Sequence, residues 1–188
     1  MGRSRSPLAL VLLVLLAEEP AHPYRMHELI RARGKDRVAN VASRNSVYQA
    51  VERLERLGLI AVRGVDRDAG RPERTVYELT PDGTATMLDW LRGMLSEPAV
   101  EYPEFPAALA SLLILPPAEV ADLLDRRADA VESALDAAKA EVDGLGLARP
   151  FLLEEEYAQT VGRAEVAWLR GVVADLRSGV LTWPADWT

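Results

Sequence analysis

The hydrophobic pattern of this chain changes period several times, and each change marks an element. Leu8 to Ala17 is an unbroken apolar run, too short to cross a bilayer, and it reads as a first helix buried on all sides. Pro23 opens a second helix that runs to about Arg33, with Met26, Leu29 and Ile30 turned inward and Gly34 as its stop. A third begins near Ser43, a good N-cap, and ends before Gly58. Its apolar stripe is Val47, Ala50, Val51, Leu54 and Leu57; Asn45, Gln49, Glu52 and Arg56 lie opposite, with Tyr48 and Arg53 on the flanks.

After Gly58 the period falls to that of strands. Leu59 to Arg63 and Thr75 to Thr80 are rich in β-branched and aromatic residues, and the Gly64 to Arg74 stretch between them is the tip of a hairpin. Arg63, Arg67, Arg71 and Arg74 stand at or beside that tip, partly offset by Asp66, Asp68 and Glu73. Three helices followed by an arginine-bearing hairpin is the order of a winged helix-turn-helix module, whose third helix enters the major groove.

Thr80 then caps a helix that starts at Pro81 and turns Met87, Leu88, Leu91 and Leu95 to one side. Residues 96–106 hold three prolines and read as a linker. A short apolar helix from Ala107 to Leu115 is stopped by Pro116-Pro117. A long helix to about Asp143 follows, with Val120, Leu124, Val131, Leu135, Ala138 and Val142 on one face. The last helix runs from about Phe151 to Ser178, closed by Gly179, and repeats Tyr157, Val161, Ala164, Trp168, Val172 and Leu176 on one side. Two long amphipathic helices joined by a short turn can pair antiparallel, yet with little other core much of their stripe stays exposed, and dimerisation covers it. The expected fold is therefore mainly α: a winged helix-turn-helix domain over residues 1–95, a linker over 96–106, and a helical dimerisation domain over 107–188.

Composition narrows the chemistry. The chain is 49% hydrophobic and 27% charged, the balance of an ordinary folded protein. It has no cysteine, which excludes disulfides, thiolate metal sites and a cysteine nucleophile. His22 and His27, five apart, fall on different faces of a helix, so no metal site is expected. A phosphate-binding glycine loop and a serine elbow are absent, and Gly144-Leu145-Gly146 lacks the third glycine of a dinucleotide fingerprint. No cofactor and no enzymatic activity are expected. Arg3 and Arg5 before the first apolar run imitate a secretory leader, but Glu18-Glu19-Pro20 and Leu15 stand where a small-residue cleavage site would be needed, so a cytoplasmic protein is expected.

Net charge is −7, but unevenly placed: residues 1–80 carry 14 Lys and Arg against 10 Asp and Glu, and residues 81–188 carry 8 against 19. A basic module joined to an acidic one fits a chain whose first part meets nucleic acid. Asn45 and Gln49 suit adenine edges, and Arg56 suits guanine or, near a helix C-terminus, a phosphate.

Several segments resemble the PadR-like transcriptional regulators. They are Ser6-Pro7-Leu8-Ala9-Leu10, Leu16-Ala17-Glu18-Glu19-Pro20 with His22-Pro23-Tyr24, Ser43-Arg44-Asn45-Ser46-Val47-Tyr48, Val51 through Ile60, and Gly70-Arg71-Pro72 followed by Tyr77-Glu78-Leu79-Thr80-Pro81-Asp82-Gly83. Where relatives often have a proline and a glycine before the third helix, this chain has Arg44 and Asn45. The resemblance implies a homodimeric repressor that reads a pseudo-palindromic duplex, with two modules about 34 Å apart. Its DNA-binding residues would be Tyr24, Arg44, Asn45, Ser46, Tyr48, Gln49, Arg53, Arg56, Arg67, Arg71 and Arg74. Glu165 to Leu169 is similar to the C-terminal helix of the family's longer branch, which implies a dimer seam at Val161, Trp168, Leu169, Val172 and Leu176. The same branch implies a small aromatic effector near Phe105, Tyr157 or Trp168, although aromatics at helical spacing also serve simply as packing anchors. The competing reading is a winged-helix adaptor that contacts proteins and does not read DNA.

Overall fold

The computed structural model describes residues 5–39, 41, 44–66 and 73–184, with Arg44 described in its backbone only. The chain divides into two compact units between Val100 and Glu101. In the first, α1 (Pro7–Glu18), α2 (Pro23–Ala32) and α3 (Arg44–Arg56) precede a hairpin of β1 (Ile60–Asp66) and β2 (Arg74–Leu79), and α4 (Pro81–Ser96) follows. The second holds α5 (Glu104–Leu109), α6 (Pro117–Asp143) and α7 (Leu153–Ser178). No described helix is long and apolar enough to cross a membrane.

The core of the first unit forms because its helices each direct one apolar stripe to a common centre. Leu12 and Leu13 of α1, Met26 and Ile30 of α2, and Val47, Val51 and Leu54 of α3 meet Leu59, Ile60 and Trp90 there. Each such aliphatic side chain contributes about 1.5–3 kcal/mol when fully removed from water. The first helix departs from the expectation of burial all round: Val14 is 39% exposed, because a helix at the edge of a small unit always keeps one side toward water. Ser6 caps this helix by accepting the Ala9 N–H at 3.4 Å. Between α2 and α3 the sequence pattern missed a single 3-10 turn, Lys35–Arg37, which follows Gly34 at φ +64°. The Ser43 cap lies outside the described residues.

The first strand is longer than the residue pattern predicts, and the second keeps its length but starts one residue earlier. β1 continues past Arg63 to Asp66, and β2 begins at Arg74. The register shifts between Val62 and Gly64, so Arg63 is an extra residue that lets the ladder resume beyond a poor strand former. Ala21 adds a third, minimal rung on the other side of β2: Tyr77 O accepts its N–H at 3.1 Å and Tyr77 N–H donates to its carbonyl at 3.0 Å.

The junction from α3 through the hairpin to α4 is closed by two glycines and a threonine. Gly58 ends α3 at φ +69°, a conformation that glycine takes without steric cost. The Thr80 hydroxyl donates toward the Gly58 carbonyl at 2.8 Å and accepts the Gly83 N–H at 2.9 Å, capping α4. A Cβ on Gly83 would stand 1.9 Å from the Leu59 carbonyl oxygen, so α4 can lie where it does only with glycine there. This contact turns α4 differently from the predicted stripe. Gly83 and Trp90 are buried, whereas Leu88, Leu91 and Leu95 are exposed.

In the second unit α5 starts at Glu104, inside the stretch read as a linker, and ends at Leu109; a 3-10 turn at Leu112–Ile114 replaces the rest of the predicted apolar helix. Pro106 falls in the first turn of α5, where a missing N–H costs nothing. The helices α6 and α7 pair antiparallel. Val120, Ala121, Leu124 and Ala128 of α6 meet Leu169, Val173 and Leu176 of α7 in the second core. Gly162 permits close approach further along, since a Cβ there would meet Leu135 side-chain carbons at 2.8 Å. Phe151 lies in a 3-10 turn before α7 rather than in the helix. The pair is laced by charge: Arg170 meets Asp125 and Asp129, Arg177 meets Asp125 at 2.8 Å, and Arg127 meets Glu165 at 2.8 Å. The hydrogen bond from Arg177 above all holds the Asp125 carboxyl below its ordinary range. Trp183 packs against this core and donates its indole N–H to the Leu115 carbonyl at 2.9 Å. Trp187 lies outside the described residues.

Substituting Gly83→Ala is expected to destabilise the first unit by at least about 2 kcal/mol, because backbone and not a flexible side-chain tip blocks the new methyl. Gly171→Ala, where nothing lies within 4 Å of the added Cβ, is expected to be neutral or stabilising by up to about 1 kcal/mol. Urea unfolding of the two variants checks both, and equal stability of Gly83→Ala and the parent would refute the packing account.

Candidate functional site

An exposed polar helix face beside a two-stranded hairpin is the surface on which the predicted contacts gather. Burial of Val47, Val51 and Leu54 fixes the rotation of α3. That rotation leaves Asn45, Gln49, Arg53 and Arg56 in solvent, with Glu52 among them. Ser46 is half-buried, and Tyr48 is 43% exposed on the flank that turns toward α2 and β2. Arg53 and Arg56 occupy the last turn, where cations also complement the helix C-terminus. Arg44 opens the helix. Arg67 and Arg71 lie outside the described residues, as do Gly70 and Pro72.

Tyr24, Tyr48 and Arg74 converge on one cleft of about 260 Å³, shared with His22, Glu52 and Tyr77. It exists because the Ala21 rung draws the start of α2 against β2. The Arg74 guanidinium carbon sits 5.0 Å from the centre of the Tyr24 ring, a cation–π distance. The ring of His22 lies 6.1 Å from that of Tyr24 at an interplanar angle of 27°. On the α3 side, the Tyr77 hydroxyl donates to Glu55 at 3.4 Å.

His22 is the residue of this cleft that sequence reasoning passed over. It stands one position before Pro23, which is the N-cap position, and its Nδ1 accepts the Arg25 N–H at 2.9 Å. Its Nε2 faces Arg74 Nη1 at 3.3 Å. The cap could have been read from a polar residue before a helix-starting proline. The meeting with Arg74, 52 positions away, has no local signature. His27 is buried in α2. Among the described residues no cluster of His, Asp and Glu has the arrangement of a metal site.

The predicted seam and effector residues divide into two faces of α7. Leu169 and Leu176 are buried against α6, and Val172 packs beside them. Tyr157, Val161 and Trp168 remain exposed, at 71%, 48% and 49%. The apolar repeat runs obliquely around the helix, so one periodic stripe on paper supplies both a core and an outward surface. Phe105 and Trp168 do meet, edge to face, with centroids 6.4 Å apart. Arg127 lies 3.7 Å over the Phe105 ring. Tyr157 lies outside this aromatic group.

Burial, with help from the Arg74 charge, lowers the His22 pKa below its ordinary 6.5. A histidine so shifted binds its proton more readily in the unfolded chain, so stability is full above about 6.5 and falls as pH drops from there toward the folded value. The thermal midpoint of the protein is expected to fall between pH 7.5 and pH 5.5, and less steeply in His22→Asn. A variant that titrates as the parent does would remove His22 from that transition.

Residues 11–89, from within α1 through the hairpin and into α4, match the family model described as Transcriptional regulator PadR-like family. No curated protein matches the chain. Among solved structures, PadR of Bacillus subtilis in complex with operator DNA is similar at a TM-score of 0.72 with 20% identity, over 90% of this chain and 98% of that one. The same protein in complex with p-coumaric acid is similar at 0.72 with 19% identity, over 90% and 98%. A PadR-like transcriptional regulator of Bacillus cereus is similar at 0.60 with 16% identity, over 93% and 99%. At such identities the likeness to these structures is one of fold.

Proposed function

We propose, from the premise that residues 11–89 make this chain a PadR-like transcriptional regulator, that it binds a pseudo-palindromic DNA operator as a homodimer and represses transcription. The observation that carries this reading is the outward face of α3, where Asn45, Gln49, Arg53 and Arg56 are all exposed beside an arginine-bearing hairpin. Asn45 and Gln49 then have hydrogen-bonding ends suited to base edges, while Arg53, Arg56 and the hairpin arginines neutralise phosphates. Glu52, on the same face, suits a cytosine amino group and repels misplaced backbone.

Pairing of two copies through the second unit supplies the two-fold symmetry such an operator mirrors. The exposed Tyr157, Val161 and Trp168 support this role for the outward face of α7. Leu169 and Leu176 hold α7 to α6 within each protomer, and shape the seam from behind. A small aromatic acid is the proposed releasing effector. The B. subtilis relative bound to p-coumaric acid supports that choice of chemistry. So does the Phe105–Trp168 pair with Arg127 stacked on it, which offers ring faces and a cation, although Glu165 already pairs with that cation.

Anisotropy with the duplex upstream of its own gene tests the reading, with an unrelated duplex as competitor across a salt series. Asn45→Ala is expected to cost about 1–3 kcal/mol on the operator and to relax discrimination at one position. Arg56→Ala is expected to weaken both duplexes alike and to lower the salt slope by about one unit per contact. Retention of neither duplex at low salt would leave the adaptor as the better account.

A further inference from the structure

The two nitrogens of His22 make unequal demands on one proton. Nδ1 accepts the Arg25 N–H at 2.9 Å, so the neutral ring must carry its proton on Nε2. That Nε2–H points to Arg74 Nη1 at 3.3 Å, and a guanidinium can only donate. Two donors therefore face each other across a cleft open beside α3, and neither can satisfy the other. The two nitrogens are too close for an atom to lie between them, but an acceptor seated at their side, with the Arg74 side chain turned to admit it, would take a hydrogen bond from each at about 2.9 Å.

We propose that His22 and Arg74 form one divided site for a single backbone phosphate of duplex DNA, its oxygen accepting from imidazole Nε2–H and guanidinium Nη1–H together. The inference rests on the DNA-binding reading above and adds a neutral donor to it. The ring stays neutral near pH 7.5 because burial and the Arg74 charge disfavour a second proton, and that second proton would also displace the α2 cap. The charged groups around the ring are of both signs: Arg25 and Glu28 on α2, Asp66 and Arg74 on the hairpin, with Glu52 of α3 and Glu73 also lining the cleft. The carboxylates make the cleft a poor trap for loose anions, and favour a phosphate held in place by docking of the neighbouring α3. The stacked Tyr24 ring limits how far His22 and Arg74 can drift apart.

The test uses the full chain, its own upstream duplex and an unrelated duplex, at pH 7.5 across a salt series. His22→Asn keeps a side-chain oxygen that can cap α2 but loses the Nε2–H. It is expected to bind both duplexes about tenfold more weakly with an unchanged salt slope, as loss of a neutral donor to a charged acceptor requires. Arg74→Gln is expected to weaken binding and reduce the slope by about one unit per protomer bound. The double variant is expected to lose less than the product of the two single losses, because both act on one phosphate. Parent-like binding by His22→Asn, or a reduced salt slope in it, overturns the proposal while leaving the DNA reading intact. Failure of the parent chain to bind either duplex defeats that reading first. Should His22→Asn fold poorly, imidazole ¹⁵N spectra of the parent decide instead. Proton on Nε2, with its signal moving on addition of duplex, supports the site; proton on Nδ1, or no response to duplex, overturns it.

Discussion

Two backbone hydrogen bonds between Ala21 and Tyr77 organise the first unit more than their number suggests. A two-stranded ribbon alone is marginal in water. Here the second strand is also held from its other side by the residue that leads into α2. The start of α2, the first half of β2 and the flank of α3 are thereby gathered around one cleft, and His22, Tyr24, Tyr48 and Arg74 meet there because of it. The backbone pairing comes first, and the side-chain chemistry inherits its geometry.

The second unit is ordered on a different basis. Its buried core is concentrated where the start of α6 meets the end of α7, and arginines bridge to aspartates alongside it. Exposed ion pairs add little individually, but Arg170 and Arg177 converge on Asp125, and such sharing fixes the rotation of one helix against the other. That rotation decides which apolar residues of α7 are spent inside the unit and which face out.

Much of this was legible in the residues. Proline at the first helical position marked α2 and α4, Thr80 marked a cap, and glycines at positive φ marked the ends of α3 and α7. The buried face of α3 followed from its 3.6-residue period, and so did the exposure of Asn45, Gln49 and Arg56. Three of the departures trace to contacts that no local window displays. A bulge at Arg63 let β1 continue where a glycine had suggested a turn. The α4 face was set by a backbone contact at Gly83, which outweighed the larger side chains of Leu88 and Leu91. The meeting of His22 with Arg74 depends on strand pairing across half a domain, and no window of local sequence contains both.

Gly83 also has a mechanical meaning. With its missing methyl, the first turn of α4 rests directly on the Leu59 carbonyl, and the Thr80 backbone N–H donates to that same carbonyl at 3.1 Å. The 16-residue helix is therefore a lever seated on a hard fulcrum. Its length is about 24 Å at the usual rise. A tilt of about 5° at that seat would carry the far end through roughly 2 Å, and any push on that end would be returned to the peptide linking α3 to the hairpin.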